Sequence, residues 1–298
     1  MSNETIMLAK TYKSHKDLIF PLVASEKLDG VPGDFYANKF GTFCRSRQDK
    51  EILSVDHILE WLDGELEPGM HVIGELYIPG EPFKNISGLV RTQETNYATK
   101  RLNLYIHDFY EEGRESTEYE ARMLEIRDIL DCNGLIGGDS PIKIVPTRFI
   151  QADLINNAKD DYEAFDMFEA ELYQNNPTAE GLVARTLYGP ESYYKSGWRS
   201  PGILKSKQVK DIDLPIHSLE EAVSKSGEPL GMVGRINVVY NDEVIGVGPG
   251  KLTHAKRTDM YKNQDKYIGK MIEIHYMPDA SYDALREARF DRFRPDRD

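Results

Sequence analysis

The chain has 298 residues, an ordinary globular composition and a formal net charge of −13, which suits two domains with real cores and argues, taken whole, against a simple nucleic-acid binder. Its two cysteines, Cys44 and Cys132, exclude a disulfide framework and a four-cysteine zinc module, and both are expected as buried reduced thiols. The longest uncharged apolar run, LIFPLVA, is far too short to span a bilayer, and the opening MSNETIMLAK lacks the basic start and apolar stretch of a signal peptide, so a cytoplasmic protein without membrane contact is expected.

Residues 1–24 read as a lead-in and a first strand. DFYANKFGTFCRSR alternates apolar and polar about a turn at residues 38–41, the pattern of a hairpin. SVDHILEWLDGEL has helical spacing, with Ser54 as cap and Val55, Ile58, Leu59 and Leu62 on one face. HVIGELYI and LNLYIHDFY are strand-like. TEYEARMLEIRDILDCNG predicts a helix capped by Thr117 and stopped at Gly134. KIVPTRFI predicts one strand. KDDYEAFDMFEAELYQNN predicts a helix with Phe165, Phe168 and Leu172 on one side, and EGLVARTL and GILKSK predict further strands.

Near Asp211 the texture changes. Helical patterns thin out, and GRINVVYND, EVIGVG and KMIEIHYM are short strands between Gly- or Asp-bearing turns, most economically a five-stranded barrel of the OB type. The expected fold class is α+β: a domain of antiparallel sheets with flanking helices over residues 1–208, then a small OB-fold β-barrel over 209–298. HSLEEAVSKSGEPLG is read as a short connection between the two, neither long nor basic enough to close around a duplex as a loop or hairpin.

The charge is uneven. Acids dominate between Glu111 and Glu180, whereas Lys195, Arg199, Lys205, Lys207 and Lys210 form a basic stripe without an acid, and arginines cluster at the C-terminus. An acidic body with a basic stripe can still grip phosphates, with strong salt sensitivity.

The candidate chemistry starts at Ser25-Glu26-Lys27-Leu28-Asp29-Gly30. A neutral lysine amine attacks phosphorus or a carbonyl, and a glycine lets backbone approach a ligand closely. Alone, such a motif is a surface lysine in a turn. It has company: Ser46-Arg47, Gly74-Glu75-Leu76, the strand Tyr105-Ile106-His107-Asp108-Phe109, Glu180-Gly181-Leu182-Val183-Ala184-Arg185, Lys205-Ser206-Lys207, and Arg294-Pro295-Asp296-Arg297. In this order and spacing the motifs resemble the covalent nucleotidyltransferases, most closely the minimal ATP-dependent DNA ligases of phages and viruses, over nearly the whole chain.

The resemblance implies a nucleotidyltransferase (adenylation) domain followed by an OB domain, acting on nicked duplex DNA as a monomer with no obligate protein partner. ATP and Mg²⁺, with Mn²⁺ as a substitute, are the implied cofactors. The NAD-dependent relatives carry an extra N-terminal domain and four zinc cysteines, which the 26 residues before Lys27 and the two cysteines do not supply. Lys27 is then the nucleophile that takes AMP, with Asp29 in the catalytic set. Glu75 is expected at the ribose or a metal and Glu180 at Mg²⁺. Lys205 and Lys207 would face the α-phosphate, and Arg294 and Arg297 the pyrophosphate. Ser25 and Glu26 would contact the adenine edge, with His107 in the place of a stacking aromatic and Tyr105 as its fallback. Arg47 would hold the 5′-phosphate of the nick, with Arg45 and Arg199 as further phosphate contacts.

Two departures stand out. Pro32 lies where the family has an arginine five residues after the lysine, with Lys39 and Arg45 as substitutes, and Ile73 stands where an aspartate is common. The alternatives are an RNA-directed relative (an RNA ligase or an mRNA-capping guanylyltransferase) and an inactive nucleic-acid-binding relative.

Overall fold

The computed structural model describes residues 4–155, 158–277 and 285–295. The chain divides into two compact units, Met1–Ser206 and Lys207–Asp298. In chain order the first unit runs β1 (Leu8–Thr11), β2 (Leu22–Glu26), β3 (Val31–Asn38), β4 (Gly41–Ser46), α1 (Asp56–Leu62), β5 (Met70–Tyr77), α2 (Phe83–Val90), β6 (Asn103–Glu111), α3 (Tyr119–Cys132), β7 (Ile142–Ile144), β8 (Arg148–Ile150), α4 (Asp161–Asn175), β9 (Gly181–Thr186) and β10 (Arg199–Lys207). These strands form two five-stranded sheets, in the orders β1-β10-β9-β2-β8 and β4-β3-β5-β6-β7.

Alternation along β3, β5 and β6 sorts their residues onto two faces. Phe35, Val72, Leu76, Leu104 and Phe109 join the main core with Ile58 and Leu62 of α1, Ile86 of α2 and Ile126 and Leu130 of α3. On the opposite face, Ile73 and Tyr110 pack with Ile6, Met7, Tyr194 and Ile203 in a smaller cluster reaching to β10. The α4 residues Ala164 and Phe165 back the first sheet with Leu22, Ile150 and Leu182.

Several expected details differ. Ser54 does not cap α1; its buried hydroxyl donates to the Val90 carbonyl at 3.1 Å and ties α1 to the end of α2. Nor does Thr117 cap α3, whose N-cap is Glu118 without a side-chain bond. KIVPTRFI is two strands instead of one: β7 runs parallel to β6 in one sheet and β8 antiparallel to β2 in the other. Pro146, which has no N–H to give a ladder, lies where the chain passes between the sheets. Cys132 is exposed, whereas Cys44 is buried and its thiol is pushed well up by burial.

The second unit comprises β11 (Lys210–Val223), β12 (Pro229–Tyr240), β13 (Glu243–Val247), α5 (His254–Lys262), β14 (Met271–Met277) and β15 (Arg286–Phe293). The strand order is β13-β12-β11-β14-β15. Beyond β13, the Gly248 N–H donates to the Ala288 carbonyl at 2.9 Å and the Phe290 N–H to the Gly248 carbonyl at 3.0 Å. These bonds bring the two edges together in parallel, which is the connectivity of an OB fold. HSLEEAVSKSGEPLG is therefore no connection between domains. It forms the end of β11, a turn closed by Ser224 N–H to Glu228 carbonyl, and the start of β12. Among the described residues no helix is long and apolar enough to cross a membrane.

Candidate active site

The β2–β9 register builds the centre of the site. Ser25 lies opposite Val183 and Glu26 opposite Leu182. One residue further, the Lys27 N–H donates to the Gly181 carbonyl at 2.8 Å. That extension sets Lys27 beside the start of β9, and its Nζ makes a short ion pair with Oε2 of Glu180. Glu180 is only 6% exposed, so its charge is satisfied here by an ammonium and not by bulk water.

From Lys27 the chain passes through Asp29 and Gly30 into β3. A Cβ on Gly30 would lie 2.4 Å from the Leu76 carbonyl oxygen and 2.7 Å from Cγ of Glu75, so only glycine lets this loop rest on β5. A Cβ on Gly74 would meet Leu104 Cδ1 at 2.4 Å and the Tyr105 carbonyl oxygen at 2.7 Å. The two glycines thus hold Glu75 directly against the Lys27 loop. Across the sheet Glu75 faces Pro32 on one side and Tyr105 on the other. Burial pushes the Glu75 carboxyl up to about 8; Lys27 and Arg47 oppose the shift, and Glu180 and Asp29 add to it. Lys27, Asp29, Arg47 and Glu180 are therefore all within electrostatic reach of Glu75.

The β5–β6 ladder shifts between Ile73 and Gly74, whose partners are Asp108 and Ile106, so His107 is the extra residue of a bulge. Bulges re-aim side chains. Nδ1 of His107 lies 2.9 Å from a guanidinium nitrogen of Arg185, and its carbonyl accepts from the Tyr119 hydroxyl at 3.3 Å. Burial above all, then the charges of Arg185 and Lys27, push its imidazole down to about 3. Ser25 is buried on β2. Glu26 accepts from the Asn176 amide at 2.7 Å, and burial raises its carboxyl. Tyr105 meets Tyr77 edge-on at 5.6 Å.

A buried ionic network underlies this arrangement. Asp108 accepts at Oδ1 from Nε and Nη2 of Arg122, at 3.0 and 2.9 Å, and at Oδ2 from Nη1 of Arg185 at 2.9 Å. Arg185 is on β9 and Asp108 on β6, so the ion pair joins the two sheets. Sequence reasoning quoted both residues within their motifs and gave neither a role. The available signal was an arginine inside the apolar run LVARTL, which needs an acid inside the fold.

No family model matches the chain. Its sequence is 25% identical over 244 residues to the DNA ligase of Escherichia phage T7, covering 70% of this chain and 67% of that protein. Its structure is similar to the Chlorella virus DNA ligase-adenylate, with a TM-score of 0.52 and 26% identity over 99% of this chain and 100% of that one. The chain falls in the family of minimal ATP-dependent DNA ligases. A structure from the Lig E DNA ligases shares the fold at a TM-score of 0.73, with 18% identity over 98% of this ligase and 99% of that chain.

The remaining expected residues of the ligase are distributed as follows. Lys205 is on β10 opposite Thr11. Lys207 belongs to the second unit, where its Nζ donates to Sδ of Met277 at 3.5 Å and lies 3.8 Å from Glu287. Arg294, also in the second unit, pairs with Asp213 at 2.9 Å and Glu273 at 2.8 Å. Arg297 lies outside the described residues. Arg45 is held by Asp34 at 2.9 Å and stacks over Tyr36, and Arg199 donates to the Ala9 carbonyl at 2.5 Å. Neither arginine lines the cleft at Pro32, and Lys39 sits at the far end of β3 over Phe40. That cleft, about 620 Å³, is walled instead by Gly30, Pro32, Arg47, Lys50 and Arg91.

Proposed function

We propose that this ligase seals nicks in duplex DNA with ATP as adenylate donor, through an AMP carried on Lys27. The supporting observation is the contact of Lys27 Nζ with Glu180 beside the half-buried Glu75. The neutral amine attacks the α-phosphorus of ATP, the bond to the bridging oxygen breaks, and pyrophosphate leaves. Glu180 Oε2, in contact with Nζ, is the nearest group to take the ammonium proton. The 5′-phosphate of the nick then displaces Lys27 from the AMP, and the 3′-hydroxyl displaces AMP from the DNA. Each displacement is easier than direct joining, because a good leaving group is built first.

The donor set suits a hard divalent cation. Glu75 is lifted to about 8 because burial and neighbouring carboxylates leave its negative charge under-compensated, which is the setting an added cation relieves. Glu75 and Glu180 would hold Mg²⁺ or Mn²⁺, which supplies charge neutralisation on the triphosphate. Asp29 belongs to the same electrostatic cluster. Ser25 and Glu26 are assigned to the adenine edge, and Lys205, Lys207, Arg294, Arg297 and Arg199 to phosphates.

Arg47, with Lys50 and Arg91 around the cleft, is assigned to the 5′-phosphate, supplying the charge absent at Pro32. The ligase is proposed to act as a monomer in the cytoplasm. The test compares a nicked DNA duplex with one whose nicked strand is RNA, with ATP or GTP as donor. Sealing of DNA with ATP is expected. Preference for the RNA strand, or for GTP, would replace this reading with an RNA-directed one.

A further inference from the structure

The contacts of His107 fix which of its ring nitrogens carries the hydrogen. A guanidinium is donor-only. The 2.9 Å contact from Arg185 Nη2 therefore requires Nδ1 of His107 to be the acceptor, which leaves the ring hydrogen on Nε2. Arg185 itself has little freedom: it is 9% exposed, its other terminal nitrogen is on Asp108 Oδ2 at 2.9 Å, and its guanidinium lies over the Tyr119 ring at 5.3 Å. Asp108 is fixed in turn by Arg122. The backbone is fixed as well, by the bulge in β6 and by Tyr119 on the His107 carbonyl. Among the described residues, no protein group is hydrogen-bonded to Nε2. His107 follows Ile106, the cross-strand partner of Gly74 beside Glu75, and its Arg185 contact reaches β9, the strand whose Gly181 carbonyl holds the Lys27 N–H, so the ring stands at the site where Lys27 acts.

We propose that Arg185 is a positioning residue that fixes His107 as the Nε2–H tautomer, and that His107 donates this hydrogen to an uncharged acceptor of the ATP nucleoside, on the base or the ribose. An uncharged acceptor matches an uncharged donor: Arg185 and Lys27 both oppose a second positive charge on the ring, so the imidazole is a weak partner for phosphate. An aromatic hydrocarbon at this position offers only a face, whereas His107 adds an edge with one directed hydrogen. The inference rests on ATP being the adenylate donor.

Two measurements test it. Long-range ¹⁵N–¹H correlation spectra of the intact chain report histidine tautomers, and the His107 signals are identified by their loss in His107→Phe. The Nε2–H form is expected at neutral pH, with Arg185→Lys shifting the ring away from it. In self-adenylation, His107→Phe should raise KM for ATP roughly 3- to 10-fold, the worth of one neutral hydrogen bond, a change carried by KM more than by the rate at saturating ATP. His107→Gln, which keeps an N–H at similar reach, should recover part of the loss. Among the 1-deaza, 3-deaza, 7-deaza, 2′-deoxy and 3′-deoxy forms of ATP, one should show the raised KM with the parent and no further rise with His107→Phe. An Nδ1–H ring, an unchanged KM, or the same further rise with every analogue overturns the inference. A parent that takes no AMP from ATP overturns the functional reading instead.

Discussion

Lys27 stands one residue past the end of β2, where the β2–β9 register delivers it to Glu180. Its neighbour His107 carries a pH signature. Burial, then Arg185, hold the folded imidazole down to about 3 against the opposing charge of Asp108, whereas the unfolded ring titrates near its ordinary 6.5. Between those values the unfolded chain binds more protons than the folded one, so this residue's contribution favours folding above about 6.5 and is lost as pH falls towards 3. His107→Phe lacks that liability. The difference in melting temperature between variant and parent should move in the variant's favour from pH 7 to pH 4; a difference independent of pH contradicts the account. The grouping of Lys27 with Glu75 and Glu180 was legible in the sequence because each sits in a short motif that holds a glycine. The Arg122–Asp108–Arg185 network was not, because its members come from α3, β6 and β9 and meet only when the two sheets pack.

At the scale of elements, α4 is capped by Asp160, whose carboxylate accepts from the Glu163 N–H at 2.8 Å, and Ala164 and Phe165 are its buried residues. Asp160→Ala leaves that N–H without its partner and should cost about 1 kcal/mol in denaturant unfolding of the first unit, with adenylation kept at saturating ATP. A loss under a few tenths of a kcal/mol would show that the cap contributes nothing. Strands were readable wherever one face is apolar and the other polar. The helix α5 was not: of HAKRTDMYK only Met260 is buried, so no apolar stripe announces it. The short helix α2 carries Ser87 and Gly88 in its middle and follows Pro82, a composition that reads as a loop. KIVPTRFI reads as one strand because alternation continues across Pro146, and only the sheet assignment separates its halves.

For the whole molecule, a net charge of −13 describes the surface average and hides the site's own balance. Arg47, Lys50 and Arg91 outnumber Glu51 around one cleft next to Gly30 and Pro32, which makes it locally cationic on an acidic protein. Both domain types were legible from the change in texture near Asp211, and closure of the second unit follows from bonds at Gly248 that no local pattern encodes. The central claim is that AMP is carried on Lys27, and it is tested most directly by incubating the chain with ATP and Mg²⁺ and mapping the adduct by peptide mass spectrometry. One acid-labile AMP on Lys27, absent from Lys27→Ala, is the predicted result; labelling of Lys27→Ala to the parent's level would contradict it.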